Sequence, residues 1–244
     1  MKKYLVCLSV VLSIVTSARS SLASDFKPAI VVQTPENVFA PMGFDNNDNA
    51  QIVLYGNLPD TCHKAGTVRY RIDKSRKTIF IRNEVYFYSG CWCADVLVPY
   101  IQTVNLGVLR EGNYEIVVEA PDGSFKKMAR FPVSVSTTAG PDEYLYAPVE
   151  NVHFKKGNGS EPSEVLITGA FRNSCMYLED VKVTYRPNHV IEIQPVAGMQ
   201  KGNDCVPDFR LFSAKVELKD SVHGRALIHV RSLNGQALNQ VIEL

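Results

Sequence analysis

The chain has 244 residues, of which 45% are hydrophobic and 21% are charged, values that exclude a wholly disordered protein. Positions 1–23 contain three of its 26 basic residues and none of its 25 acidic ones, so the remainder has a net charge of −2. This balance argues against nucleic-acid binding and against binding to anionic membranes, and the length predicts one or two domains.

The first 23 residues have the layout of a secretory signal peptide. Two lysines precede an apolar run from Tyr4 to Val15, and Ser21-Leu22-Ala23 offers small residues for cleavage before Ser24. This apolar run is too short for a transmembrane helix, and Cys7 belongs to it. The sequence therefore predicts a secreted protein, periplasmic or extracellular, whose other cysteines meet oxidising conditions.

The rest of the chain contains one unit twice. Matching motifs recur at an offset that drifts only between 114 and 112: Glu36-Asn37-Val38 with Glu150-Asn151-Val152, Ile52-Val53-Leu54-Tyr55-Gly56 with Val165-Leu166-Ile167-Thr168-Gly169, Cys62 with Cys175, and Gly112 with Gly224. A unit of this length suits an independent domain. We therefore predict two separable domains, residues 24–138 and 139–244, which join at Ala139-Gly140-Pro141.

Apolar residues recur with a period of two in each unit, which is typical of β-strands with one buried face. Val68, Tyr70 and Ile72, for example, alternate with charged residues. Asp122-Gly123 and Asn234-Gly235 lie between apolar runs, a position and composition that favour type I′ hairpin turns. The sequence thus predicts an all-β fold with two tandem β-sandwich domains.

Three motifs of the first unit resemble a bacterial immunoglobulin-like module of secreted proteins: Gly56-x-Leu58-Pro59-x-x-Cys62, Cys93-x-x-x-Leu97-Val98-Pro99-Tyr100 and Leu106-x-x-Leu109-x-x-Gly112-x-Tyr114. The second unit keeps several of these positions and departs at Arg172, Leu211 and Ala226. The resemblance implies an immunoglobulin-like β-sandwich in each half. Because such modules mostly have no assigned activity, it brings no catalytic residue with it.

Five cysteines remain after cleavage, so they cannot all pair within one chain. Cys62 and Cys175 are equivalent in the repeat, and the downstream offset of 112 makes Cys93 the counterpart of Cys205. The family pattern likewise places a cysteine at position 93. We therefore predict Cys62–Cys93 and Cys175–Cys205, with Cys91 as an unpaired thiol. A swapped Cys62–Cys91 bond is the rival pairing, and Cys91 is either an inert thiol or a bridge between two copies.

The sequence contains no His-Glu-x-x-His, Gly-x-Ser-x-Gly, Walker or Cys-x-x-Cys motif, so we expect neither enzymatic activity nor a cofactor. Asp45–Asn49 has oxygen side chains at alternate positions, as calcium loops do, but lacks their glycine and closing glutamate. We interpret it as a solvated loop. Cys62, His63, Cys91 and Cys93 are candidate metal ligands, although oxidising conditions favour disulfides.

One segment of the first unit is rich in aromatic residues. Tyr86 and Tyr88 share one face of a predicted strand, and Trp92 follows them. The leading hypothesis is a non-enzymatic binding or structural protein of the cell envelope or extracellular space, with a protein or glycan partner at these three residues. The alternative for the aromatic segment is that its rings fill the core. The alternative for the function is a periplasmic redox or metal-handling protein that uses Cys62, His63, Cys91 and Cys93.

Overall fold

The computed structural model describes residues 27–90, 92–158, 161–201, 204–219 and 223–244. The predicted signal peptide and the predicted free thiol of Cys91 lie outside these residues. Regular structure consists of β-strands and one 3₁₀ turn (Leu233–Gly235): β1 (Ala29–Val32), β2 (Asn37–Phe39), β3 (Ala50–Leu58), β4 (His63–Asp73), β5 (Thr78–Phe87), β6 (Val98–Gly107), β7 (Gly112–Glu119), β8 (Phe125–Val133), β9 (Val149–Lys155), β10 (Glu164–Asn173), β11 (Met176–Arg186), β12 (Val190–Met199), β13 (Pro207–Glu217), β14 (Arg225–Ser232) and β15 (Gln236–Glu243). The described part of the chain includes no helix with the length and apolar character that a membrane crossing requires.

The strands of the first unit form two sheets that face each other across a core. One sheet has the order β2-β3-β6, and the other joins β4, β5, β7 and β8, with β1 beside the C-terminal half of β5. Ile52 and Leu54 of the first sheet meet Ile79, Ile81 and Ile116 of the second, and all five are fully buried. This arrangement confirms the β-sandwich.

The second unit repeats this strand pairing. The sheet β9-β10-β13 faces the sheet β11-β12-β14-β15, and the core between them contains Val165, Ile167, Ile191 and Ile228. Residues 145–147 lie beside β12 in the same way that β1 lies beside β5. The Ala147 N–H donates to the Pro195 carbonyl, and the Ala197 N–H donates to the Leu145 carbonyl. The two units therefore share one strand order.

One strand pair in each unit departs from the immunoglobulin arrangement that the resemblance implies. β5 runs parallel to β7, with Ile79 opposite Ile116, and β12 runs parallel to β14, with Ile191 opposite Ile228. An immunoglobulin sandwich consists of two antiparallel sheets. Each unit is therefore a β-sandwich in which one of the two sheets is mixed.

The turn between β7 and β8 is not the predicted type I′ turn. Gly123 has a φ of 81°, whereas Asp122 is not among the residues with positive φ, and the Gly123 N–H donates to the Ala120 carbonyl at 2.9 Å. This geometry is that of a longer hairpin loop with glycine in the left-handed position. At the equivalent turn Asn234 and Gly235 have φ values of 63° and 65°, as type I′ requires.

The two units pack against each other through the outer faces of two sheets. Phe39 and Val53 of the first unit form a buried cluster with Val190 and Leu227 of the second. Asn47 donates to the carbonyl of Thr138 at 3.1 Å and to that of Gly140 at 2.8 Å, so the join is tied to the first unit. The domain boundary at this join stays a prediction.

The prediction that Asp45–Asn49 is a solvated loop is wrong for Asp45 and Asp48. Asp45 is 3% exposed and Asp48 is 1% exposed, and an oxygen of the Asp48 carboxylate lies 3.3 Å from the Arg231 guanidinium of the second unit. The Asp45 carboxylate accepts the backbone N–H of Asn47, as a side-chain turn does. Asp48 is buried where the second unit supplies a cation, whereas Asn49 at the end of the segment is exposed.

Candidate functional site

The outer face of β4 and β5 carries arginine and aromatic side chains. Because Ile79 and Ile81 point into the core, Phe80 and Arg82 between and beyond them point outward. Cross-strand pairing places Arg71 opposite Phe80 and Arg69 opposite Arg82. We name this surface the arginine–aromatic face, with the residues Arg69, Arg71, Phe80, Arg82, Tyr86, Tyr88 and Phe125.

One end of the arginine–aromatic face is a stack of three side chains. The Arg71 guanidinium lies over the Phe80 ring at 4.2 Å from its centroid, and Phe80 meets Phe125 edge to face at 5.3 Å. These side chains border a hollow of about 210 Å³. No carboxylate of the described residues forms an ion pair with Arg71. Its N–H donors therefore remain available to an incoming carboxylate or carbonyl oxygen.

The two arginines in the middle of this face are already paired. Glu84, whose side chain is 7% exposed, accepts from Arg69 Nε at 3.0 Å and from Arg82 Nε at 3.3 Å. Arg82 also binds the Glu119 carboxylate, which raises the pKa of Arg82. These pairs hold Arg69 and Arg82 in place, so Arg71 is the arginine that is free to bind a partner.

The predicted binding residues Tyr86 and Tyr88 lie at the other end of the same face, and both are half-buried. The Tyr86 hydroxyl is 3.1 Å from Thr67 Oγ1, and the Lys64 ammonium is 5.2 Å from the centroid of the Tyr88 ring. Val85 between them points inward and is fully buried. The strand alternation thus places both tyrosines outside the sandwich core.

The third predicted residue, Trp92, is fully exposed in the loop that follows β5. The Cys62–Cys93 disulfide anchors this loop, and Thr61 Oγ1 accepts the Ala94 N–H at 2.9 Å. Ring contacts within the described ranges include none between Trp92 and a tyrosine. The structure therefore brings Tyr86 and Tyr88 together on one surface, and Trp92 is exposed without a ring contact to either of them.

The structure joins four cysteines in the pairs that the repeat register predicts. The Cα–Cα distance is 5.3 Å for Cys62–Cys93 and 5.4 Å for Cys175–Cys205, both usual for disulfides. Metal binding by cysteine requires a thiolate. The bonded sulfurs of these four residues therefore supply no such ligand.

His63, the remaining described residue of the redox or metal alternative, has a structural environment. Its Nδ1 lies 2.7 Å from Asp60 Oδ1, and its ring stacks on Phe87 at a centroid distance of 4.8 Å. The hydrogen bond with His63 lowers the pKa of Asp60. These contacts favour a role for His63 in bracing the disulfide loop.

The equivalent face of the second unit is covered by the first unit. Glu192, at the position of Phe80 in the repeat, is fully buried and accepts from Arg186 Nε at 2.8 Å. Its burial raises the pKa of Glu192. Arg231, at the position of Glu119, is 3% exposed and is paired with Asp48. In the second unit this face is therefore an interface with another β-sheet.

Sequence reasoning missed most of the arginine–aromatic face. It selected Tyr86 and Tyr88 from a local concentration of rings, but it did not place Arg71, Phe80 and Phe125 beside each other. The signal was present in the alternation at Arg69-Tyr70-Arg71, which directs both arginines away from the core. The pairing of β4 with β5 was the missing information, and the sequence pattern does not provide it.

A comparison with protein families adds one match. Residues 52–127, about a third of the chain, match the family model described as ORF11 beta-sandwich domain. No curated protein and no solved structure matches the chain. The matched range contains the whole arginine–aromatic face. The first unit is therefore similar to the ORF11 β-sandwich domain, and its candidate site lies within the similar part.

Proposed function

We propose that this protein is an exported, non-enzymatic binding protein built from two tandem β-sandwich modules, and that the arginine–aromatic face binds an acidic protein partner. The observation that carries the proposal is the exposed Arg71 guanidinium, which lies over Phe80 and has no acidic partner among the described residues. An arginine whose guanidinium rests over a ring is preorganised for bidentate binding to a carboxylate.

The composition of this face supports a macromolecular partner. Arginine and aromatic residues are enriched at protein interfaces and supply most of the binding hot spots. Phe125 is 53% exposed and Ile30, opposite Tyr86 on β1, is 56% exposed, so apolar area is available to a partner. The surface thus combines apolar anchors with the Arg71 charge, which no carboxylate of the described residues neutralises.

The second unit supports a protein as this partner. Its equivalent face is covered by the sheet β2-β3-β6 of the first unit, with Leu227 and Val190 buried against Phe39 and Val53. The same module therefore binds a β-sheet on this face in one copy. We infer that the first copy uses its exposed face in the same way, with a partner from outside the chain.

Export is supported by the signal-peptide layout and by two disulfides in one chain. Disulfides persist in oxidising compartments, which for an exported protein are the cell envelope and the extracellular space. We therefore place the interaction in one of these compartments.

The test compares three forms of the mature chain as bait in extracts of the native envelope and medium. They are the wild type, the double variant with Arg71→Ala and Phe80→Ser, and the control Arg172→Ala. Arg172 is matched to Arg71 because it is exposed on the second unit and lies over the Phe209 ring at 4.9 Å.

We expect a protein that the wild type and Arg172→Ala retain equally and that the double variant loses by about tenfold or more. Binding to Arg71 should also weaken as salt is raised. Equal retention by all three forms would show that the arginine–aromatic face is not the binding surface.

A further inference from the structure

A polar cleft lies at the junction of the two units, away from the arginine–aromatic face. It has a volume of about 550 Å³ and opens between β3 and β6 of the first unit and the turn before β15 of the second. Clefts of this size between domains are common ligand sites. Its polar side chains are Asn49, Gln51, Thr103, Asn105, Asn234 and Gln236.

The chemistry of this lining is unusual for a surface hollow. Five carboxamides and one hydroxyl face the cleft, and among the described residues no acidic, basic or aromatic one lines it. A carboxamide offers two N–H donors and a carbonyl acceptor, and a hydroxyl both donates and accepts. A charged ligand would find no opposite charge here, and an apolar ligand would leave these groups without partners.

Neighbouring contacts hold the cleft in shape. Asn239 Nδ2 donates to Gln51 Oε1 at 2.9 Å and to Thr103 Oγ1 at 3.2 Å, and Asn239 Oδ1 lies 2.7 Å from the Nδ1 of the buried His229. The left-handed Asn234-Gly235 turn lies next to Asn49, since a Cβ on Gly235 would be in van der Waals contact with its Nδ2 at 3.4 Å. Both walls are therefore positioned before any ligand arrives.

A second hollow of about 260 Å³ adjoins Asn239 at the same junction. Its lining includes Tyr55, Tyr100, Ile101 and Gln240, so it combines rings with an amide. Gln240 Oε1 is buried and has no hydrogen-bond partner within the described ranges. Tyr100 is 7% exposed and the Arg225 guanidinium lies over the Tyr55 ring at 4.3 Å, so the open part of the junction is the amide-lined cleft.

We propose that this junction cleft binds a neutral glycan. Sugar hydroxyls donate and accept in the same way as carboxamides, and a ring that is neutral needs no counter-charge. This site is independent of the proposed protein interface, because the two surfaces share no residue.

The test uses the mature full-length protein and a panel of oligosaccharides, measured by titration calorimetry and saturation-transfer NMR. The neutral probes are tetramers of glucose, mannose, xylose and N-acetylglucosamine, and the charged probes are oligogalacturonate and a sulfated oligosaccharide. Two variants, Asn105→Leu and Gln236→Leu, each replace one exposed carboxamide by an apolar side chain. Asn113→Leu, an exposed strand asparagine outside the cleft, is the matched control.

We expect at least one neutral tetramer to bind, and each cleft variant to weaken this binding by about tenfold, as the loss of one hydrogen bond to the ligand predicts. Asn113→Leu and Arg71→Ala should leave it unchanged. The absence of binding to every neutral probe, a preference for the charged probes, or unchanged binding by both cleft variants would each overturn the proposal. None of these outcomes bears on the protein interface, which is tested separately through Arg71.

Discussion

Arg231 of the second unit lies 3.3 Å from the Asp48 carboxylate of the first, with 3% and 2% of the two side chains exposed. Asp142, in the join between the units, holds the same guanidinium at 2.7 Å. A buried charge is costly unless it is paired. One cation thus ties together the first unit, the join and the second unit, so a change at this point should affect the stability of the whole chain.

Asp48→Asn should therefore be strongly destabilising. The substitution keeps the volume and leaves Arg231 with Asp142 as its remaining ion-pair partner, which we expect to cost about 3 kcal/mol in the free energy of unfolding. Urea unfolding followed by circular dichroism measures this. The control is Glu115→Gln, because Glu115 and Lys127 are 48% and 45% exposed and should contribute less than about 1 kcal/mol. Equal effects of the two substitutions would contradict the role of the buried pair.

Stability should also depend on His229 at mildly acid pH. Burial lowers the pKa of His229 to about 4. The hydrogen bond with Asn239 opposes this shift, and the nearby Arg231 charge adds to it. As the pH falls below about 6.5, the unfolded chain binds a proton that the folded chain does not. The His229 contribution is therefore present above pH 6.5 and is lost between about pH 6.5 and 4, by on the order of 3 kcal/mol in total.

His229→Gln isolates this effect from other titrations. Burial raises the pKa of Asp142 and of Glu192, and these two groups act in the opposite direction because the folded chain then binds the extra proton. They are common to both proteins, so the difference in unfolding free energy between wild type and variant should shrink by about 3 kcal/mol from pH 7 to pH 4. A difference that stays constant with pH would contradict the assignment.

The sequence predicts the strands and the disulfides of this protein, but not the other contacts between residues that are far apart in the chain. The period of two predicts the β-sandwich, and the repeat register predicts the pairs Cys62–Cys93 and Cys175–Cys205, because both signals recur along the chain. The pairing of Asp48 with Arg231 leaves no periodic signal. The arrangement of the arginine–aromatic face depends on which strands pair. This pairing is hard to predict from the sequence, because the parallel neighbours β5 and β7 are separated by β6 in the chain.

Peptide mapping without reduction tests the cysteines directly. We expect disulfide-linked peptides for Cys62–Cys93 and for Cys175–Cys205, and thiol-reagent label on Cys91 alone. Removal of either bond should cost about 3–4 kcal/mol, because each restrains an unfolded loop of similar length, with separations of 31 and 30. Label on Cys93 with Cys91 protected would establish the rival pairing, and a Cys91–Cys91 peptide would establish a covalent dimer.

The two halves, expressed separately in an oxidising compartment, test the domain boundary. Residues 24–138 and 139–244 each have their own core and disulfide, so each should unfold cooperatively. Separation exposes Leu227 and Val190 and removes Asp48 from Arg231, so fragment 139–244 should unfold at a lower temperature than the full chain. A fragment without a cooperative transition would show that the junction is part of the core.

The tyrosines of the arginine–aromatic face should contribute to binding more than to stability. Tyr86 and Tyr88 are half-buried and outward-facing, so the double substitution to serine should change the melting temperature little, since surface changes usually cost within about 0.5 kcal/mol each. Capture of the partner that Arg71 retains should fall sharply, because interface tyrosines are frequent hot spots. Val85→Ala is the matched control on the same strand, because Val85 is fully buried. Its truncation should lower stability and leave capture by the folded protein intact. A large loss of stability in the tyrosine variant would place these rings in the core, and unchanged capture would confine the interface to the end of the face at Arg71 and Phe80.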